Sequence, residues 1–108
     1  MKRYAVYLSP LATLKLDLLF DHLEGEWGSK AKHSFRDKLN KTIQRLSEHP
    51  KSSSESRKMK GIYRSIVTPQ TSLYYRIISE EIEIITIIDN RQHPKKVKEE
   101  INKYFGDL

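Results

Sequence analysis

The chain contains no cysteine, which excludes a disulfide framework and thiolate chemistry and fits a reducing compartment such as the cytoplasm. It also lacks any apolar run long enough to cross a bilayer. The opening Met1-Lys2-Arg3-Tyr4-Ala5-Val6-Tyr7-Leu8 has basic residues but no apolar core of signal-peptide length before Ser9-Pro10, so neither secretion nor a membrane anchor is indicated. No internal repeat and no interdomain linker interrupt the 108 residues. That length makes one domain, residues 1–108, able to bury roughly 65% of its unfolded surface around a single core. His22, His33 and His49 lack the paired spacing and carboxylate company of metal ligands, so no metal is expected. No cofactor motif is present.

Acidic charge is also in short supply. Twenty Lys and Arg against fourteen Asp and Glu leave a net +6, with a pI near 9.6. Acidic partners, whether nucleic acid or acidic protein segments, are therefore favoured. The imbalance is local: the stretch 28–64 holds eleven basic and three acidic residues, a difference of +8, whereas Leu16 to Trp27 carries Asp17, Asp21, Glu24 and Glu26 with no Lys or Arg.

What is present reads as a short alternation of element types. Tyr4, Val6 and Leu8 alternate with Arg3, Ala5 and Tyr7, giving a first strand that Pro10 ends, with Ser9 placed to cap a helix. Leu11, Ala12, Leu16, Leu19, Phe20, Leu23 and Trp27 recur at spacings of three and four as one apolar stripe. Gly28 is a stop signal and Ser29 the next cap, so a second helix follows after a very short connection. Its Ala31, Phe35, Leu39, Thr42, Ile43 and Leu46 point inward, and Lys30, Lys38, Lys41 and Arg45 outward. The two helices must form an antiparallel hairpin. His49-Pro50 closes the second one, and Lys51 to Lys60 is a serine-rich basic stretch expected to be a mobile loop.

From Gly61 to Pro94 three β-type runs follow in quick succession. Pro69-Gln70 and Ser79-Glu80-Glu81 make the turns between them. The last run, Ile82 to Ile88, is apolar on nearly both faces and belongs inside a sheet. It ends abruptly in Asp89-Asn90-Arg91-Gln92-His93-Pro94, a polar cluster at a sheet edge. Beyond it Val97, Ile101, Tyr104 and Phe105 predict a short amphipathic helix. The class is α+β, in the order β-α-α-β-β-β with a C-terminal helix, a helical hairpin lying on a mainly antiparallel sheet.

Several stretches together resemble the RelE/ParE superfamily, the toxins of type II toxin-antitoxin modules. They are the opening Tyr-x-Val-x-Leu-Ser-Pro-x-Ala (Tyr4 to Ala12), Trp27-Gly28, Gly61-Ile62-Tyr63-Arg64, Ser72 to Ile77, and Asp89 to Pro94. The last of these looks like the ParE-type plasmid-stabilisation branch. The resemblance implies neutralisation by a cognate antitoxin protein, whose acidic or amphipathic segment would lie on an apolar and basic surface, and one of two lethal activities. In the ParE type the toxin binds DNA gyrase and traps cleaved DNA, breaking no bond itself. In the RelE type it cleaves messenger RNA on the ribosome, where a 2′-hydroxyl attacks the adjacent phosphodiester and needs a proton acceptor, charge stabilisation and a donor to the leaving oxygen. A non-toxic binding module on the same fold is a third possibility, and exposed strand edges leave room for a homodimer or a hetero-oligomer with the antitoxin.

The candidate target-binding residues are Lys58, Lys60, Arg64, Arg76 and Arg91. A nuclease would draw its catalytic set from Arg64, Arg76, Arg91 and His93, although the arginine that opens the third strand in RelE-type relatives is replaced by Ser72. Each has a plainer reading. Arg64 and Arg76 could lie on a solvated sheet face or pair with Glu83, Arg91 could pin its strand end to Asp89, and His93 could be a turn residue before Pro94. Tyr63, Tyr74 and Tyr75 could stack on bases or pack in the core.

Overall fold

A computed structural model describes residues 3–106. Its elements are β1 (Ala5–Leu8), α1 (Pro10–Trp27), α2 (Ser29–Glu48), β2 (Ser54–Glu55), β3 (Ile62–Thr68), β4 (Thr71–Ile78), β5 (Glu81–Asp89) and α3 (Pro94–Phe105). The strands form one sheet in the order β1-β5-β4-β3-β2, in which only the β1–β5 pair is parallel. The α+β class and the order β-α-α-β-β-β-α are therefore as the sequence predicts, with β2 as an added short strand.

The composition of β5 follows from its position. It is paired on both edges, the α1–α2 hairpin covers one face, and α3 covers the other. Ile82, Ile84 and Ile87 pack with Leu73, Tyr75, Ala12, Leu16, Phe35, Leu39 and Leu46 beneath the hairpin. Ile85 and Ile88 pack with Met59, Ile62, Val97 and Ile101 beneath α3. A bulge, where Tyr74 pairs with Thr86 and Tyr75 with Ile84, leaves Ile85 as an extra residue, which packs in the α3-side cluster. Ladder hydrogen bonds are disrupted at a bulge. Here the buried Ser9 hydroxyl donates to the Ile85 carbonyl (2.7 Å) while accepting from the Ala12 N–H (3.0 Å), so one side chain caps α1 and docks its start on β5.

Three local expectations are corrected. Gly28, at φ +89°, ends α1 and directly precedes α2, and no side chain caps α2, so Ser29 is already helical. Only glycine takes that backbone without strain. Trp27 fits the apolar spacing of α1 but is 73% exposed, because its turn lies at the hairpin tip. The basic stretch after His49 is tied down rather than free. Ser54 and Glu55 pair with Arg64 and Tyr63, Glu55 Oε2 accepts from the Gly61 N–H (2.8 Å), Met59 is buried, and Tyr75 Oη donates to the Pro50 carbonyl (2.7 Å). Burial raises the Tyr75 phenol above its ordinary value.

Candidate target-binding surfaces

Arg64, Arg76 and Arg91 do not line one common cleft. Arg64 lies on the sheet face away from the hairpin, in register with Tyr74. Its Nε donates to Ser72 Oγ (3.2 Å) and its Nη2 to Asn90 Oδ1 (3.0 Å). Asn90 also accepts from the Ser72 hydroxyl, and its Nδ2 donates to the carbonyls of Thr68 (3.3 Å) and Pro69 (3.0 Å). The carboxamide thus fastens the β3–β4 turn to the end of β5, and Arg64 is oriented by the same network. Beside it, Tyr74, Gln92, Pro94 and Val97 help line a cleft of about 100 Å³ between the sheet and the start of α3. That is too small for a nucleotide.

Arg76 occupies the same face nearer the other end of the strands, in register with Ile62. Its Nε donates to Glu83 Oε1 at 2.7 Å, and its guanidinium lies 5.8 Å from the centre of the Phe105 ring. The charge is spent on a cross-strand pair and on holding α3.

Arg91 is elsewhere. Its guanidinium grips Asp89 through Nε–Oδ1 (3.1 Å) and Nη2–Oδ2 (2.7 Å), and its backbone N–H adds a bond to Oδ1 (2.9 Å). Those side-chain bonds first, and the backbone bond second, hold the Asp89 carboxyl down at about 2. Both residues line a cleft of about 710 Å³ between the hairpin tip and the end of the sheet. Its floor is apolar, with Leu19, Leu23 and Phe35, and Lys38, His22 and the exposed Trp27 stand on its rim.

His93 precedes α3, exposed, with Nδ1 accepting the Lys95 N–H (3.1 Å). It caps the helix through Nδ1. Lys58 and Lys60 are exposed on either side of the buried Met59. Of the tyrosines, Tyr75 is fully buried, Tyr63 stacks on it with centroids 5.4 Å apart, and Tyr74 packs against the cluster under α3. Core packing claims them. The residue that sequence reasoning passed over is Asn90; its signal was an asparagine directly after a strand, a position where a side-chain amide commonly fastens a turn.

A sheet carrying a helical hairpin, with polar groups gathered at the strand ends, is the α+β architecture that the RelE/ParE resemblance implies. Residues 6–94 match the family model for the ParE toxin of the type II toxin-antitoxin system parDE, and the chain belongs to that family. Solved structures agree on the fold. The chromosomal ParDE system of Pseudomonas aeruginosa superposes with a TM-score of 0.69 at 16% identity, covering 81% of this chain and 96% of that one. The YoeB dimer of Staphylococcus aureus gives 0.54 at 14% identity, covering 78% and 93%. The conserved hypothetical protein HP0894 of Helicobacter pylori gives 0.54 at 12%, covering 82% and 97%. A sequence comparison with curated proteins gives no match. The chain is thus a member of a toxin family of type II modules, and membership implies a cognate antitoxin. Among the described residues no helix is long and apolar enough to cross a membrane.

Proposed function

We propose that the toxin arrests growth by docking on DNA gyrase and holding the enzyme on cleaved DNA, and that an acidic amphipathic segment of the antitoxin releases it by filling the cleft at the hairpin tip. The observation that carries this reading is the fate of the four residues a nuclease would need. Arg64 is held by Ser72 and Asn90, Arg76 by Glu83, Arg91 by Asp89, and His93 by the start of α3. Arg91 lines the large cleft at the hairpin tip, Arg64 the small one by α3, and Arg76 neither. In-line cleavage of RNA requires acid, base and charge stabilisation within hydrogen-bond reach of one phosphate. Docking requires only a rigid, shaped and charged surface; these pairings make for rigidity, and the exposed Lys38, Lys58 and Lys60 carry charge.

The test is paired. Purified toxin should inhibit gyrase supercoiling and leave messenger RNA intact on translating ribosomes. Ribosome-dependent cleavage that disappears in Arg64→Ala or Arg76→Ala, without gyrase inhibition, would move the nuclease ahead. Inactivity in both assays, with harmless expression in a host lacking the antitoxin, would leave the non-toxic module. The antitoxin assignment has its own readout: the sole tryptophan, Trp27, stands exposed at the cleft. Antitoxin binding should shift its emission to the blue, and an unchanged spectrum on a saturated complex would place the antitoxin elsewhere.

A further inference from the structure

Apart from the lysines of α3, the positive charge without ion pairs among the described residues lies largely along one flank. On α2, Lys30, Lys38, Lys41 and Arg45 are all exposed and fall within an arc of about 80° at 3.6 residues per turn. The arc is placed by two observations: Arg45 Nη2 donates to Ser65 Oγ of β3 (2.6 Å), and Lys38 shares a cleft with Thr68 and Gln70 at the far end of that strand. The stripe therefore runs along the β3 flank of the helix. Lys32 and Arg36, outside the arc, are the ones engaged with α1, through Glu24 (3.2 Å) and the Phe20 ring (5.7 Å).

A second row lies on the other side of the same sheet edge. Arg57, Lys58 and Lys60 are exposed in the segment that joins β2 to β3, whose Met59 is buried in the α3-side cluster. Lys51, just past the end of α2, stands between the two rows in sequence. Among the described residues none of these four makes an ion pair, and neither do Lys30, Lys38, Lys41 or Arg45. Between the rows, β2 pairs only with Tyr63 and Arg64, so the outer edge of β3 is open from Ile66 to Thr68.

Like charges set in rows repel one another and disfavour the compact state, so a surface kept this way is matched to an anion that is not part of the chain. The anion must be long, because the α2 stripe alone spans fifteen helical positions, about 22 Å. It must also be read by its charge alone. Within 30–64 no aromatic is among the exposed large side chains, so the platforms that single-stranded nucleic acids stack on are missing.

The geometry points to a duplex-DNA contact: the α2 stripe and the β2–β3 segment grip the phosphate backbone without reading sequence. The choice of DNA over other polyanions rests on the gyrase reading, since that target presents duplex DNA beside the toxin; the rows themselves do not depend on it. Binding should be sequence-independent and steeply salt-dependent.

Fluorescence anisotropy of a labelled duplex with the purified full chain tests this. The plot of log affinity against log salt should have a slope of about −3.6 or steeper, four phosphates at about −0.9 each. The triple variant Lys41→Gln/Lys51→Gln/Arg57→Gln should bind at least tenfold more weakly, with an unchanged circular dichroism spectrum. The charge-matched control Lys95→Gln/Lys96→Gln/Lys98→Gln on α3 should change affinity less than threefold. Equal weakening in the two triples, a shallow slope, or tighter binding to single-stranded RNA or to polyglutamate than to duplex DNA would each overturn the inference. A parallel supercoiling assay separates the two readings. Gyrase inhibition with no duplex binding overturns this inference alone, and duplex binding with no gyrase inhibition overturns the gyrase reading alone.

Discussion

At the scale of single residues, Asn90 and Asp89 show how a polar cluster at a strand end can be structural first. Asn90 uses its amide as a donor to Thr68 and Pro69 and its carbonyl as an acceptor from Arg64 and Ser72. Asn90→Asp keeps the shape but replaces the donor with a second acceptor facing two carbonyls, and it should cost about 2 kcal/mol in urea melts. A loss below about 0.5 kcal/mol would show that the turn does not depend on the amide. Asp89, held down at about 2 by Arg91, binds its proton less readily folded than unfolded. Its contribution is present above about pH 4 and is lost as pH falls toward 2. Stability followed over that window should fall less in Asp89→Asn than in the wild type. Tyr75 has the opposite sign: its raised phenol contributes stability that is fully present below about pH 10 and is lost as pH rises through the higher folded value. Tyr75→Phe should lose about 1 kcal/mol at neutral pH, from the unpaired Pro50 carbonyl, and become less sensitive to base.

At the scale of elements, the order of strands and helices was legible because each is closed by a local signal, Pro10 and Ser9 at α1, Gly28 at the hairpin and His49-Pro50 at the end of α2. The run Ile82 to Ile88 announced an interior strand, and β5 is paired on both sides. What sequence could not carry is anything set by a partner far along the chain. Ser54 and Glu55 have no strand character of their own and become β2 only because β3 offers an edge and Met59 anchors the following turn. Trp27 keeps the helical spacing of core residues, yet nothing in periodicity tells where the sheet beneath a helix stops. The candidate arginines are the same case: their presence was readable, while their bonds to Ser72, Asn90, Glu83 and Asp89 were not. Ser9 joins local and distant roles, so Ser9→Ala should cost about 2 kcal/mol, more than a surface cap. A thermal melt shifted no more than by an exposed serine would remove the Ile85 contact from the account.

At the scale of the whole molecule, the charge is divided by flank. The outer face of α1 carries Asp17 and Asp21 with exposed Leu14 and Leu18, while Lys30, Lys38, Lys41 and Arg45 of α2 and Arg57, Lys58 and Lys60 of the β2–β3 segment make no ion pair among the described residues. The apolar cleft beside Trp27 lies at the tip of the same hairpin, and Lys38 belongs both to its lining and to the basic stripe. The most direct measurement is the accumulation of linear plasmid when purified toxin is added to gyrase, supercoiled DNA and ATP and the reaction is stopped with detergent and protease. Gyrase-dependent linear DNA that rises with toxin and persists in His93→Asn is the predicted result. No linear DNA at saturating toxin, from a preparation that cuts messenger RNA on ribosomes, would contradict the account.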